Sequence, residues 1–162
     1  AEMEAASLEL HPIDIRQFID DVLALNQESI ESHERRFELD TSALPADLPP
    51  LTGDPDLLLL AVHNLLDNAV KYTQPGDIIR LQVSQVEDDL VIRVSDTGIG
   101  IQPEDQSLVW EELYRGSGTD QIPGTGIGLA LVRAIIERHN GLTELTSQPG
   151  SGTTISLYIP LR

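Results

Sequence analysis

Three polar side chains, Asn64, Asn68 and Lys71, recur at helical spacing in one stretch of this 162-residue chain. Residues three and four apart lie on one face of a helix, so the three side chains should project together. Amide oxygens are hard ligands suited to Mg²⁺, which also shares phosphate oxygens, and a lysine ammonium attracts phosphate. The pattern predicts a metal-phosphate face, although an ordinary solvated polar face would show the same spacing.

Two glycine-rich runs follow. Residues 96–100 (DTGIG) come directly after a predicted strand, and their glycines would let a ligand approach the backbone closely. Asp96 could accept a hydrogen bond from the amino group of a base; the alternative is an ordinary turn. Residues 124–128 (GTGIG) lead straight into a predicted helix, whose free N–H groups and positive end favour a phosphate. This second run fits neither a dinucleotide-binding fingerprint nor a P-loop, and a flexible loop is the alternative.

Hydrophobic periodicity predicts the elements that position these motifs. Helices are expected over residues 12–32, 54–72 and 125–139, and strands over 37–40, 78–86, 90–95, 142–147 and 153–159. Pro12 should open the first helix, Asp54 should cap the second, and Asn140 with Gly141 should end the third. Strands grouped in hairpins with three helices predict one sheet with helices on one face. Residues 97–125 show little periodicity, which is typical of a functional or a disordered loop.

Composition limits the function further. The length fits one domain, and the formal net charge of -17 opposes both nucleic acid and anionic membrane surfaces. The absence of cysteine excludes disulfides, thiolate zinc sites and a cysteine nucleophile. The longest apolar run, residues 57–62, is far shorter than a membrane span of about 18 residues. We therefore expect a soluble acidic domain without nucleic-acid or direct membrane contact.

Taken together, the motifs resemble those of sensor histidine kinases. Residues 64–73 (NLLDNAVKYT) resemble the N box of that family, and residues 96–101 (DTGIGI) resemble its first glycine box. Residues 124–130 (GTGIGLA) resemble the second glycine box, and Gly152-Thr153-Thr154 resembles the final glycine motif. The order and spacing match over about residues 12–160. The chain thus resembles the catalytic, ATP-binding domain of the family, whose Bergerat-type fold is shared with gyrase-type and mismatch-repair ATPases and a heat-shock chaperone.

This resemblance implies a two-layer α/β sandwich, with a mixed, mostly antiparallel sheet, three helices on one face and a long ATP lid. It implies that Asn68 ligates Mg²⁺, that Asn64 supports the phosphates or the metal shell, and that Lys71 contacts phosphate. Asp96 would hold the adenine amino group, helped by a water and by Thr153. The implied ATP-binding residues are those of the four motifs: Asn64, Asn68, Lys71, Tyr72, Asp96, Gly98, Gly100, Ile101, Gly124, Thr125, Gly126, Ile127, Gly128, Leu129 and Thr153.

The lid, residues 102–123, departs from the family pattern. The family usually carries two phenylalanines there, whereas this chain has Trp110 and Leu113 in residues 109–115 (VWEELYR). Trp110 can serve as an apolar anchor. Arg115 keeps a basic position that could reach the γ-phosphate, so it joins Asn64, Asn68 and Lys71 as an expected catalytic residue. We expect this segment to be only weakly anchored and to order around the phosphates.

None of the four histidines, His11, His33, His63 and His139, has the family's phosphoacceptor pattern of a following acid and a nearby proline. We therefore expect the acceptor on a separate upstream dimerisation domain, with residues 1–11 as its tail or a linker and residues 12–162 as the catalytic domain. The resemblance also implies a response regulator as a downstream partner and a cytoplasmic location, whether or not the parent protein is membrane-anchored.

Two other functions remain open at the level of sequence. One is an anti-sigma-type serine kinase on the same fold. The other is a nucleotide-binding regulatory module without phosphotransfer, which the departure at Leu113 motivates. The related ATPases use a glutamate at the position of Asn64 to activate water, and an asparagine cannot act as that base. The sequence therefore favours phosphate transfer over hydrolysis.

Overall fold

The computed structural model describes residues 8–32, 34–111 and 128–161. Its helices are α1 (Ile15–Ser32), α2 (Pro55–Lys71) and α3 (Gly128–Arg138), and a short 3₁₀ helix spans Pro103–Asp105. The strands are β1 (His11–Ile13), β2 (Arg36–Asp40), β3 (Leu51–Gly53), β4 (Ile78–Val86), β5 (Asp89–Asp96), β6 (Leu142–Gln148) and β7 (Gly152–Pro160). None of the described helices is long and apolar enough to cross a membrane.

A five-stranded sheet of order β2-β4-β5-β7-β6 carries the fold. Strand β2 pairs with β4 in parallel and the other pairs are antiparallel, which confirms the expected mixed, mostly antiparallel sheet under three helices. Alternate side chains of the three central strands are buried against the helices: Ile79, Leu81, Val83, Leu90, Ile92, Val94, Ile155, Leu157 and Ile159. The opposite face is mostly polar and includes Arg80, which donates to Glu38 at 2.7 Å, together with the buried Val91. This alternation is typical of a sheet that faces a core on one side.

The beginning of the fold differs from the prediction. Pro12 does not open a helix; it lies in β1 opposite Thr52 of β3, in a two-stranded sheet that the sequence did not indicate. Helix α1 starts only after Asp14, whose carboxylate accepts the N–H groups of Arg16 at 3.0 Å and Gln17 at 3.2 Å. Proline is tolerated in such an edge pair, and the aspartate supplies the helix cap that proline cannot.

The predicted caps at Asp54 and Asn140 are confirmed. Asp54 caps α2 by accepting the N–H of Leu57 at 3.2 Å. Asn140 has the left-handed φ of 61° that ends α3, and the N–H of Gly141 donates to the carbonyl of Ile136 at 2.9 Å. Both helix caps could be predicted from the sequence, because each depends on the residue type at one or two neighbouring positions.

A buried histidine links the two helices that bear the predicted motifs. The Nδ1–H of His139 donates to the carbonyl of Ile135 at 2.8 Å, since a carbonyl can only accept. Its Nε2 is therefore unprotonated and accepts the backbone N–H of Asp54 at 3.0 Å. His139 thereby ties the end of α3 to the cap of α2. His63 likewise makes a structural contact, 2.8 Å from the buried amide oxygen of Asn26.

Candidate nucleotide site

The polar face of α2 meets the start of α3. A Cβ atom built on Gly128 would lie 3.9 Å from both amide atoms of Asn68 and 4.0 Å from the Cβ of Asn64. The following residue, Leu129, packs against the hydrophobic core and anchors this helix start. Two amide side chains therefore border the N-terminal end of a helix, where backbone N–H groups favour an anion. The arrangement suits a phosphate together with a hard cation.

Lys71 has a partner that the sequence analysis missed. Its ammonium lies 2.9 Å from the carboxylate of Asp67, one helical turn earlier. Both side chains are partly exposed, and such pairs stabilise a helix by only about 0.3–0.5 kcal/mol. An incoming phosphate could therefore displace Asp67. Tyr72 follows as the C-cap of α2, with its N–H bonded to the carbonyl of Asn68 at 3.0 Å and its side chain half-buried.

The carboxylate of Asp96 lies at the end of β5 in a largely buried position. Burial raises its pKa to about 6, and the nearby Asp77 acts in the same direction. The backbone N–H groups of Gly98 and Thr153 bond to the carboxylate and oppose the increase, the first at 2.9 Å. A desolvated acceptor of this kind is suited to one specific hydrogen-bond donor on a ligand.

Glycine is required at two positions of the first box to make room for the protein's own backbone, and not, as predicted, for a ligand. A Cβ on Gly98 would lie 2.1 Å from the carbonyl oxygen of Tyr72, so the end of α2 occupies that space. Gly100 has a φ of +72°, and a Cβ there would lie 2.1 Å from the carbonyl oxygen of Gln148. Both glycines admit the protein's own backbone. They bring the loop after β5 against α2 on one side and the end of β6 on the other.

Sequence reasoning also missed three supporting side chains. Arg35 donates to the carbonyl of Val70 at 3.2 Å and bonds to the hydroxyl and carbonyl of Thr73, which caps the end of α2. Ser147 accepts the backbone N–H of Ile101 at 2.8 Å. Gln106 donates to the carbonyls of Ile101 and Ser147, both at 3.0 Å. These residues carry no local motif, because all but one of these hydrogen bonds join residues 35 to 46 positions apart in the chain.

The first part of the predicted lid has structure. The 3₁₀ helix is followed by turns in which the N–H of Val109 bonds to the carbonyl of Asp105 at 3.2 Å. Val109 is buried, and Trp110 packs against the core with the guanidinium carbon of Arg133 at 6.0 Å from its ring centroid. The packing of Trp110 agrees with its expected role as an apolar anchor. The remaining predicted residues of the lid and second glycine box lie outside the described residues: Leu113, Arg115, Gly124, Thr125, Gly126 and Ile127.

Comparisons with known proteins agree with this geometry. A family model described as histidine kinase-, DNA gyrase B-, and HSP90-like ATPase matches residues 53–162. The adaptive-response sensory kinase SasA of Thermosynechococcus vestitus is 39% identical over 146 residues, covering 87% of this chain and 38% of that protein. The sensor-like histidine kinase SenX3 of Mycobacterium tuberculosis is 34% identical over 139 residues, covering 85% of this chain and 33% of that protein. The chain thus spans about two fifths or less of the curated relatives named here.

A solved structure shows the same fold. The mycobacterial sensor histidine kinase MprB superposes with a TM-score of 0.78 at 30% identity, over 94% of this chain and 99% of that chain. The family match covers α2, strand β5 with Asp96, strand β7 with Thr153 and the start of α3, which are the elements that form the candidate site. The chain therefore belongs to the histidine kinase-, DNA gyrase B- and HSP90-like ATPase family, as a catalytic domain of the sensor histidine kinase type.

Proposed function

We propose that this chain binds Mg-ATP and transfers the γ-phosphate to a histidine on a separate dimerisation domain of a two-component sensor kinase. The observation that carries the proposal is the placement of two complementary sites along one helix. The face formed by Asn64 and Asn68 borders the start of α3, while the end of the same helix contacts the loop that follows Asp96. The helix can thus join a phosphate site to a base site.

In this proposal Asp96 accepts a hydrogen bond from the adenine amino group. Thr153 stands opposite Asp96 in the β5–β7 register, so both residues present side chains on the same side of the sheet. Tyr72, Gly98, Gly100 and the backbone around them form the neighbouring wall. A relative with this fold, the full-length kinase ShkA, was solved in complex with AMPPNP; it is 25% identical with a TM-score of 0.83, over 98% of this chain and 33% of that chain.

The residues present fit a magnesium ion as part of the nucleotide complex. Within residues 8–32, 34–111 and 128–161, no group of three or more His, Cys, Asp or Glu side chains is arranged to hold a metal. An ion here would therefore depend on the amide oxygen of Asn68, supported by Asn64, and on the phosphates themselves, a division that Mg²⁺ commonly adopts. When bound, the ion would neutralise phosphate charge during transfer.

The chemistry left to the protein is positioning and charge. Phosphoryl transfer needs the acceptor imidazole in line with the γ-phosphate, and local positive charge must overcome the net charge of -17. We assign that role to Lys71, to Arg115 and to the N–H groups at the start of α3. The relatives are two-component sensor kinases, so the partners are a phosphoacceptor domain and a response regulator. We place the domain in the cytoplasm, where ATP is available.

The test is phosphotransfer in trans. The purified chain is mixed with γ-labelled ATP, Mg²⁺ and a histidine-bearing dimerisation domain, and the phosphorylated product is treated with acid and with alkali. We expect label on the dimerisation domain that is lost in acid and kept in alkali, as for phosphohistidine. An acid-stable product would indicate a serine kinase, and nucleotide binding without any transfer would indicate a regulatory module. The matched control replaces the acceptor histidine with alanine.

Asp67→Asn should strengthen binding of ATP, because it releases Lys71 and removes a carboxylate that repels phosphate. The ion pair is weak, so we expect a gain of about two- to fivefold in affinity for Mg-ATP at low salt. Adenosine, which lacks phosphate, should bind as before. Titration calorimetry with both ligands checks the prediction. Asp67→Glu is the matched control and should stay near the original affinity; a gain for adenosine as well would show that the effect is not on phosphate.

Mg-ATP should change the fluorescence of Trp110, the only tryptophan of the chain. Its ring lies beside Arg133 of α3, the helix whose start we assign to the phosphates, so ordering there should alter its surroundings. Adenosine should have much less effect. The measurement is emission during titration, with limited proteolysis of residues 102–123 as a second readout. Equal protection with and without nucleotide would contradict the expected ordering of this segment around the phosphates.

A further inference from the structure

A hydroxyl network centred on Ser147 lies beside the strand pair that carries Asp96 and Thr153. The hydroxyl oxygen of Ser147, on β6, accepts the backbone N–H of Ile101 at 2.8 Å. It also lies 3.0 Å from the carbonyl oxygen of Gly152 and 2.8 Å from the hydroxyl oxygen of Thr153. One side chain thus touches the loop after Asp96 and the strand that pairs with Asp96.

The number of hydrogens fixes the direction of these bonds. Ser147 has one hydroxyl proton, and the carbonyl of Gly152 can only accept. If Ser147 donates to Gly152, the hydroxyl of Thr153 donates to Ser147, and all three contacts of the serine oxygen are satisfied. If Ser147 donates to Thr153 instead, it no longer satisfies Gly152. Since partly buried polar groups favour full pairing, the first arrangement is preferred.

The preferred arrangement determines whether Thr153 can accept or donate a hydrogen bond to a base held by Asp96. With its proton turned toward Ser147, the Thr153 hydroxyl has only lone pairs left to offer a ligand. Thr153 stands opposite Asp96 in the register, and its backbone N–H bonds to the Asp96 carboxylate. The Asp96 carboxylate and the Thr153 hydroxyl oxygen then form a pair of acceptors. Such a pair suits an amino group or a water that donates to both. A purine with a carbonyl at the same position would face acceptor against acceptor. The orientation of one hydroxyl therefore separates adenine from keto purines.

We propose that Ser147 is a positioning residue that sets base specificity through Thr153. The proposal rests on the nucleotide-binding function proposed above and names a determinant of its selectivity. The serine is itself held in place, because Gln106 donates to the carbonyls of Ser147 and Ile101, both at 3.0 Å. These two hydrogen bonds also join the first part of the lid to the loop after Asp96 and to β6.

The test compares Mg-ATP with Mg-GTP in binding measured by calorimetry, for the original chain and for Ser147→Ala. We expect affinity for ATP to fall about five- to tenfold, as for one lost buried hydrogen bond, and affinity for GTP to stay unchanged or rise. Thr146→Ala is the matched control, because that neighbouring hydroxyl is exposed on the other face of the strand. It should bind both nucleotides as the original chain does.

A double variant separates positioning from general support. If Ser147 acts through Thr153, then Ser147→Ala combined with Thr153→Val should lose no more ATP affinity than Thr153→Val alone. Additive losses, or equal losses for ATP and GTP, would overturn the proposal. Ser147→Cys keeps the side-chain volume and weakens the hydrogen bonds, so it replaces the alanine variant if melting shows that Ser147→Ala does not fold. An original chain that binds neither nucleotide would refute the proposed function instead.

Discussion

Asn68→Ala should leave the domain unable to transfer phosphate and should weaken Mg-ATP far more than adenosine. The amide of Asn68 faces the start of α3, and in the proposed function it supplies the protein's oxygen ligand to the metal. Loss of outer-shell partners alone lowers metal affinity by about 10- to 100-fold, so loss of the ligand should reach at least that range. Calorimetry with Mg-ATP, metal-free ATP and adenosine measures the difference directly.

Two features make this result interpretable. The variant should fold, because Asn68 is only partly buried and its backbone bonds within α2 do not involve the side chain. Leu60→Ala is the matched control on the same helix, since that side chain is partly exposed and lies two turns before Asn68. Equal weakening of Mg-ATP and adenosine would mean that the substitution disturbs the helix, and the metal role would be wrong.

The sequence predicted the elements whose signals are local. Helix α2 was legible from the cap at Asp54 and from buried residues at helical spacing, and α3 was legible from its end at Asn140. Only the start of the first helix was predicted wrongly, because Pro12 satisfies the rule for a helix start, while its actual partner, Thr52, lies 40 positions away. A three-residue strand carries too few residues to show a period of two.

The same distinction applies to the candidate site. The candidate residues Asn64, Asn68 and Asp96 could be predicted because each belongs to a motif within a short continuous segment. The sequence analysis missed two neighbouring residues. Asp67 resembles any exposed acid on a helix, and the contacts of Ser147 with Ile101 and Thr153 appear only in the folded structure. Such contacts depend on strand register, which sequence periodicity does not determine between distant segments.

Asp96→Asn should make the domain more stable at neutral pH while removing its preference for adenine. Burial raises the pKa of Asp96 from 3.8 to about 6 in the folded domain. The folded state therefore binds more protons than the unfolded state between about pH 4 and pH 6, so this group lowers stability as pH rises through that window. The shift corresponds to a penalty of up to about 3 kcal/mol for the charged group above pH 6.

Asparagine removes that charge but keeps an oxygen that can accept the N–H of Gly98. Its amide nitrogen would face the N–H of Thr153, so only part of the penalty is recovered, and we expect a gain of about 1 kcal/mol at pH 7.5. For a domain of this size that is a rise of about 2–4 °C in melting temperature. The difference should shrink as pH falls to 5, where the original carboxyl is protonated. Asp47→Asn, in an exposed loop, is the matched control and should show no such trend.

Binding should change in the opposite direction. The variant should lose about one to two decades of affinity for both ATP and adenosine, because the acceptor for the amino group is weakened and a donor is placed beside it.

In the original chain, affinity for ATP should fall about tenfold per pH unit below pH 6, since a protonated Asp96 no longer offers a full acceptor. Melting and calorimetry over pH 5–8 test both effects together. A variant that loses adenine binding and also loses stability at pH 7.5 would show that Asp96 serves the fold, whereas stability gained at the expense of binding would identify its burial as a requirement of base recognition.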